Sequence, residues 1–204
     1  YQASEPARAS QVQGIRVALG DLAAADSTDV AFAVTVDTPL ENGTVIANVA
    51  RVTSVETPDG AILGPVDHVV RSSSSVSAVK TASPASLDLD HGQHLITYAL
   101  AGTVEGDAPA DDVVLVDAPP SGTVVSSIDQ GAADAVACAV DAGPTHVYGD
   151  CPDDLATVTS IEWQWTRLLP GDAFAAGFAV DVQLTASATV ANTASVGTGG
   201  TPDT

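Results

Sequence analysis

The sequence has little positive charge, few aromatic residues and no methionine. Six basic residues stand against 26 acidic ones, and the formal net charge is -20. The electric field of such a chain repels polyanions, so nucleic acid is not an expected partner and neither is an anionic membrane surface. A surface this acidic also keeps a protein hydrated in concentrated salt, which is compatible with a halophilic source.

Long apolar runs and a signal-peptide pattern are also missing. No apolar run approaches about 20 residues, so we expect no membrane insertion in this segment. The opening YQASEPARAS lacks the basic-then-apolar order of a secretory signal. If the protein is exported, as its other features suggest, the signal has been removed or lies outside this chain.

Cysteine is scarce, and its two copies lie close together. Cys138 and Cys151 bracket a segment rich in Gly, Pro and Asp. We predict a disulfide that stabilises this loop by about 3 kcal/mol and indicates an oxidising, extracellular or cell-surface location. The alternative is a pair of free thiols. Zinc is not expected from two cysteines and four scattered histidines, because a structural zinc site needs four clustered ligands.

The hydrophobic 45% of the chain is mostly Ala and Val arranged with period two. DVAFAVTV, HLITYALAG and GFAVDVQL alternate apolar and small or polar residues, and DDVVLVDAPP reads as a buried strand that ends at a proline pair. Turn clusters such as LENGT and GDAPADD separate these runs. The pattern predicts an all-β chain of antiparallel strands, packed as a two-sheet sandwich.

An internal repeat organises the chain. Residues 15–36 align with 161–182, and after a two-residue gap 46–52 align with 190–196, so that Phe32 matches Phe178 and Asn48 matches Asn192. The first copy has no counterpart of residues 76–160 before it. We therefore predict a partial, C-terminal-half module with a connecting strand in residues 1–75 and a complete module in residues 76–204.

Three motifs in the complete module occur in a familiar order. They are VKTASPASLDLDHGQHLITYALAG, VVLVDAPPSGTVV and LLPGDAFAAGFAVDVQLTASATVANTASV. This order resembles the bacterial and archaeal surface repeats called domain of unknown function 11. The segment AGTVEGDAP and the cysteine-bearing segment depart from the family pattern. The resemblance implies tandem immunoglobulin-like β-sandwich modules of surface, stalk or extracellular matrix proteins, without a catalytic role.

The only lysine, Lys80, shares strand parity with Val76, and Asn192 shares it with Val196. Both side chains then face the packed side of a sheet, where each needs a polar partner. The arrangement resembles immunoglobulin-like domains that form an intramolecular isopeptide between a first-strand Lys and a last-strand Asn beside a buried acid. Asp117 is the candidate acid. The alternative is that the Lys80 side chain extends to solvent. Asn48 occupies the position that matches Asn192 but has no lysine to react with, which favours a hydrogen-bonding role for the asparagine at this position.

Other candidate sites are weaker. Weak candidates for Ca²⁺ binding are Asp111, Asp112, Asp153 and Asp154. None has the spacing of a calcium loop, so the sequence favours solvated turns at these aspartates. No other cofactor is expected. Asn42 opens a glycosylation sequon but also fits a hairpin turn. Trp163 and Trp165 fit a core better than a sugar platform.

The sequence thus predicts a non-enzymatic structural protein. We expect a subunit or tandem-repeat segment of an extracellular fibre, stalk or surface layer assembled end to end, with copies of itself or neighbouring modules as partners. The half-module at the start leaves two explanations open: completion by strand complementation, or a piece cut from a longer tandem array. The alternative is an adhesin module that binds a carbohydrate or another cell surface.

Overall fold

The computed structural model describes residues 12–141 and 145–199, apart from the side chain of His91. It divides the chain into two compact units, Tyr1–Asp37 and Thr38–Thr204. The predicted boundary between residues 75 and 76 therefore stays a prediction. The strands are β1 Val45–Val52, β2 Ala61–Val69, β3 Ser74–Ser83, β4 Leu95–Gly106, β5 Ala110–Asp117, β6 Thr123–Asp129, β7 Ala135–Ala139, β8 Ser160–Leu168, β9 Ala173–Val182 and β10 Ala194–Gly197.

The fold is all-β, as predicted. Every strand pair is antiparallel, and the only helical elements among the described residues are two three-residue 3-10 turns, Leu89–His91 and Leu155–Thr157. The strand orders are β1-β2 in a two-stranded sheet, β10-β5-β8-β7 in a second sheet and β3-β4-β9-β6 in a third. Four of the seven strand pairs join strands that are not consecutive in sequence, namely β10-β5, β5-β8, β4-β9 and β9-β6.

The two four-stranded sheets pack on each other through apolar inner faces. Trp163 of β8 and Phe178 of β9 belong to different sheets, and their ring centroids lie 6.2 Å apart. Trp165 and Phe174 make a second such contact at 5.0 Å. The predicted period-two faces are confirmed here, because Ile96, Tyr98 and Leu100 of β4 and alternate residues of β9 are buried. This arrangement is sandwich-like.

The sandwich consists of a front half and a back half along the sequence. The front half is β3–β7, residues 74–139, and the back half is β8–β10, residues 160–197. The back half is paired only to the front half: β8 lies between β5 and β7, β9 lies between β4 and β6, and β10 pairs with β5. The back-half strands are consequently held by partners from 21 or more residues earlier in sequence, counting from Ala139 to Ser160.

Candidate functional site: a buried lysine, aspartate and asparagine

The site lies at the seam where an edge strand of one sheet meets an edge strand of the other. Strand β3, which carries Lys80, and strand β10 are edge strands of different sheets, and they contact each other. Asp117 ends β5 and pairs with Ala194 of β10, two residues after Asn192. The fold therefore brings together the three residues that the sequence singled out.

Lys80 and Asp117 form a buried ion pair. Nζ of Lys80 donates a hydrogen bond to Oδ2 of Asp117. The lysine side chain is 15% exposed and the aspartate side chain 0%. Lys80 thus meets one interior carboxylate rather than the aspartates of the surface. A buried pair of this kind contributes little net stability, because the loss of hydration offsets the attraction.

Two aromatic rings form the floor beneath the ammonium group. Nζ of Lys80 lies 4.6 Å from the ring centroid of Tyr98 and 5.5 Å from that of Phe178. The rings themselves pack at 5.1 Å. The sequence indicated both residues as core positions on β4 and β9 but not as neighbours of Lys80. Strand parity alone does not reveal this contact, since it depends on how β3, β4 and β9 align across the sheet.

Burial shifts the pKa of both ionisable groups toward the uncharged state. Desolvation lowers the pKa of Lys80, and the hydrogen bond and charge of Asp117 oppose the shift only in part. Desolvation likewise raises the pKa of Asp117 against the opposing effects of Lys80 and Asn192. The pKa of Tyr98 is raised by burial and then by the charge of Asp117. A low-polarity setting therefore makes the charged form of each group less favourable than it is in water.

Asn192 completes the cluster without a full set of hydrogen bonds. Its Nδ2 and the Oδ1 of Asp117 are both buried, and neither has a hydrogen-bond partner. The two side chains do not meet the geometry of a hydrogen bond, but the Asn192 amide is close enough to favour the charged form of Asp117. Buried polar atoms without partners are rare in folded proteins, and a chemical role is one of the explanations for them.

The disulfide is confirmed and lies away from this cluster. Cys138 of β7 bonds Cys151, and their Cα atoms are 4.7 Å apart. Backbone hydrogen bonds of 2.8 and 3.0 Å between Cys138 and Gly149 run alongside the bridge. The covalent bond therefore closes a segment that the backbone already brings together. It suggests an oxidising compartment, although the location itself stays a prediction.

The remaining candidates occupy ordinary structural positions. Asn42 lies in a turn, as predicted, and its Oδ1 accepts a hydrogen bond from the backbone N–H of Ser72 at 3.3 Å. Glycosylation there stays a prediction. Trp163 and Trp165 are 0% and 3% exposed, which agrees with core filling. An adhesin function gains no support from them, because a sugar platform requires exposed rings.

The calcium candidates do not form a cluster. Asp111 pairs with Arg167 at 2.9 Å, while Asp154 accepts a hydrogen bond from the N–H of Ala156 at 3.2 Å. Among the described residues, no group of three or more His, Cys, Asp or Glu side chains is placed to hold a metal ion. Calcium binding stays a prediction that rests on composition alone.

A second feature is the N-terminal copy of the repeat, residues 15–52. Both copies make the same turn: the N–H of Asp26 donates to Ala23 O at 3.0 Å, and in the C-terminal copy the N–H of Asp172 donates to Leu169 O at 2.9 Å. Ala25 and Gly171 hold the same left-handed conformation, with φ of 73° and 87°. The repeat found in the sequence is therefore also a repeat of backbone conformation at this turn.

The flanks of the two turns differ completely. Residues 12–37 form no strand and are exposed along their whole length. Phe32 is 56% exposed where the matched Phe178 is 2% exposed, and Val34 is 71% exposed where Val180 is fully buried. Strand β1, which contains Asn48, pairs only with β2, and the apolar side chains of this hairpin are also largely exposed.

No helix among the described residues is long and apolar enough to span a membrane. No family model matches the chain, and the searches of curated proteins and of solved structures returned no match. The resemblance to domain of unknown function 11 stays a prediction. The class that the coordinates define is an all-β protein with two face-packed antiparallel sheets and one disulfide.

Proposed function

We propose that this chain is a structural segment of an extracellular fibre, stalk or surface layer, in which immunoglobulin-like modules join end to end by strand complementation. The observation that carries the proposal is the contrast between the copies. Side chains that form the core in residues 161–182 are exposed at the matched positions in residues 15–36. An exposed apolar surface of this kind marks an interaction site.

The occupant is the front half of another module of the same kind. In the sandwich, β8 and β9 obtain every backbone partner from front-half strands. Residues 12–73 contain only the strands β1 and β2, so the N-terminal copy has no such partners within that range. The strands of the chain's own front half are already paired with its own back half. The missing strands must therefore be provided by a neighbouring module, through main-chain pairing across open strand edges.

Charge and covalent structure fit an exported structural role. The net charge of -20 keeps modules from associating except where specific strands pair. The Cys138–Cys151 bridge belongs to an oxidising environment. Where one polypeptide carries both an unpaired front half and an unpaired N-terminal copy, the contact between these unlike surfaces does not close on itself as a two-fold dimer does, so it propagates as a filament.

The test gives one polypeptide both complementary ends. Residues 74–160 are appended as a second copy after residue 204, so that the protein carries an unpaired front half and an unpaired N-terminal copy. We expect this extended protein to polymerise into filaments visible by electron microscopy. The unextended chain is expected to remain non-filamentous, because it offers no free front half.

Two matched substitutions make the test specific. Phe32→Asp places a charge at the position that matches the buried Phe178 of the C-terminal copy. Because this charge would be buried on complementation, the substitution is expected to abolish filaments. Thr35→Asp is the control, because its matched residue is already Asp181 and is only partly buried. If the extended protein stays a monodisperse monomer, or if both variants polymerise equally, complementation through this segment is wrong.

A further inference from the structure

The seam between β3 and β10 holds an unusual set of polar atoms. The chain's only lysine turns inward to a carboxylate that is itself fully buried. The other oxygen of that carboxylate and the Nδ2 of Asn192 are buried without hydrogen bonds. Three polar side chains from three separate stretches of chain therefore meet here, and Lys80 Nζ lies over the aromatic faces of Tyr98 and Phe178.

A stabilising role does not explain this set of buried polar groups well. An amide that is buried only to leave its N–H group unpaired is destabilising, as is a lysine whose charged form burial disfavours. Asn48 shows the contrast, because the matched asparagine lies in exposed β1. The chain has no second lysine that could pair with it. The buried cluster occurs only where lysine, acid and amide are all present.

We propose that Lys80 and Asn192 react to form an intramolecular isopeptide bond, with Asp117 transferring the proton. The three groups supply what such a reaction needs: an amine, a carboxamide carbon and an acid between them. Burial prepares both partners, since it favours the free amine of Lys80 and the neutral acid form of Asp117.

The reaction balances without any added reagent. The Nζ lone pair of Lys80 attacks Cγ of Asn192, while the Asp117 carboxylic acid hydrogen-bonds and polarises the carboxamide oxygen. Asp117 then carries one proton from Nζ to Nδ2. The Cγ–Nδ2 bond breaks and ammonia leaves, so that a Cγ–Nζ amide bond replaces it. No oxidation or reduction occurs.

The bond would join the first strand of the sandwich to its last. Because β3 and β10 belong to different sheets, no ladder of backbone hydrogen bonds links them. A covalent link at this seam prevents the two edges from separating when the ends of the module are pulled. The inference does not depend on strand complementation: a module cross-linked in this way is compatible with any use of the N-terminal copy.

The test is the intact mass of the folded, disulfide-reduced chain. We expect it to be lower than the sequence mass by one ammonia. Trypsin gives a second, independent result because Lys80 is the only lysine. In the cross-linked chain cleavage after Lys80 is lost, and the peptide 72–167 remains covalently joined to the peptide 168–204. Without the bond, the peptides 72–80, 81–167 and 168–204 separate.

Five variants separate this reaction from others that release ammonia. Lys80→Arg, Asn192→Ala and Asp117→Asn are each expected to show the full mass. Asn48→Ala is expected to keep the loss of one ammonia. Asn42 precedes Gly43, and such pairs also lose ammonia on cyclising, so Asn42→Gln is expected to keep the loss as well. A wild-type chain of full mass, or a loss that maps to Asn42, overturns the proposal.

Discussion

The two copies of the repeat share sequence, turn geometry and an asparagine position, yet residues 15–36 of the first copy form no strand, whereas the matched residues 161–182 form two. In the C-terminal copy, residues 161–182 form β8 and β9 and fill the core. In the N-terminal copy, residues 15–36 make the same turn but no strand. Local sequence thus specifies the turn, whereas a strand also requires at least one partner strand.

The asparagines give the largest difference that we expect between the copies. Asn192→Ala removes the proposed bond between β3 and the segment before β10, and we expect it to lower the free energy of unfolding by about 5 kcal/mol, the loop-closure value for a loop on the order of 100 residues. Asn48→Ala changes an exposed strand residue and is expected to change it by less than about 0.5 kcal/mol. Equilibrium denaturation of both variants measures the two effects, and equal effects would contradict the comparison.

The phenylalanines test the core directly. Phe178→Ala leaves a cavity beneath Tyr98 and Trp163, and we expect it to lower the free energy of unfolding by about 3–5 kcal/mol. Phe32→Ala, at the matched position, is expected to leave the stability of the unassembled chain unchanged because its ring is 56% exposed. Denaturant unfolding followed by tryptophan fluorescence reports on both, since Trp163 and Trp165 lie in the sandwich. A large effect of Phe32→Ala would mean that residues 15–36 are already packed in solution.

Much of the sandwich follows from the sequence because its determinants are local. Alternation identified the inner faces of β4 and β9, and the short, turn-rich loop between Cys138 and Cys151 indicated their bridge. Parity also indicated that Lys80 and Asn192 turn inward. Chain order indicated Asp117, because it ends the apolar run VVLVD, and the structure pairs that strand, β5, with β10.

The rest depends on pairing between distant segments, which one sequence does not specify. The aromatic floor under Lys80 arises from the register of β3, β4 and β9, where a shift of one residue would turn each side chain to the other face. The sequence does not predict the pairing of β2 with β1 either, because it indicates only a connecting strand or linker for residues 61–69. The alternation around Phe32 predicted a strand, and no partner for it is present in the described residues.

The shared turn gives the smallest effect and the finest test. Gly171 adopts φ of 87° and a Cβ there would meet nothing within 4 Å, so Gly171→Ala adds only backbone strain. We expect it to lower the free energy of unfolding by about 1 kcal/mol.

Ala25 already carries that strain at φ of 73°. Ala25→Gly should relieve this strain, but only where residues 15–36 are held in a sandwich. We therefore expect the free energy of unfolding to rise by about 1 kcal/mol in a chain that has a second copy of residues 74–160 fused before residue 12. No rise is expected in the unextended chain. Thermal unfolding of the five proteins, the two parent chains and the three variants, measures both changes. A gain in the unextended chain would show that the turn is held without partner strands, and no gain in the fused chain would show that the added front half does not capture it.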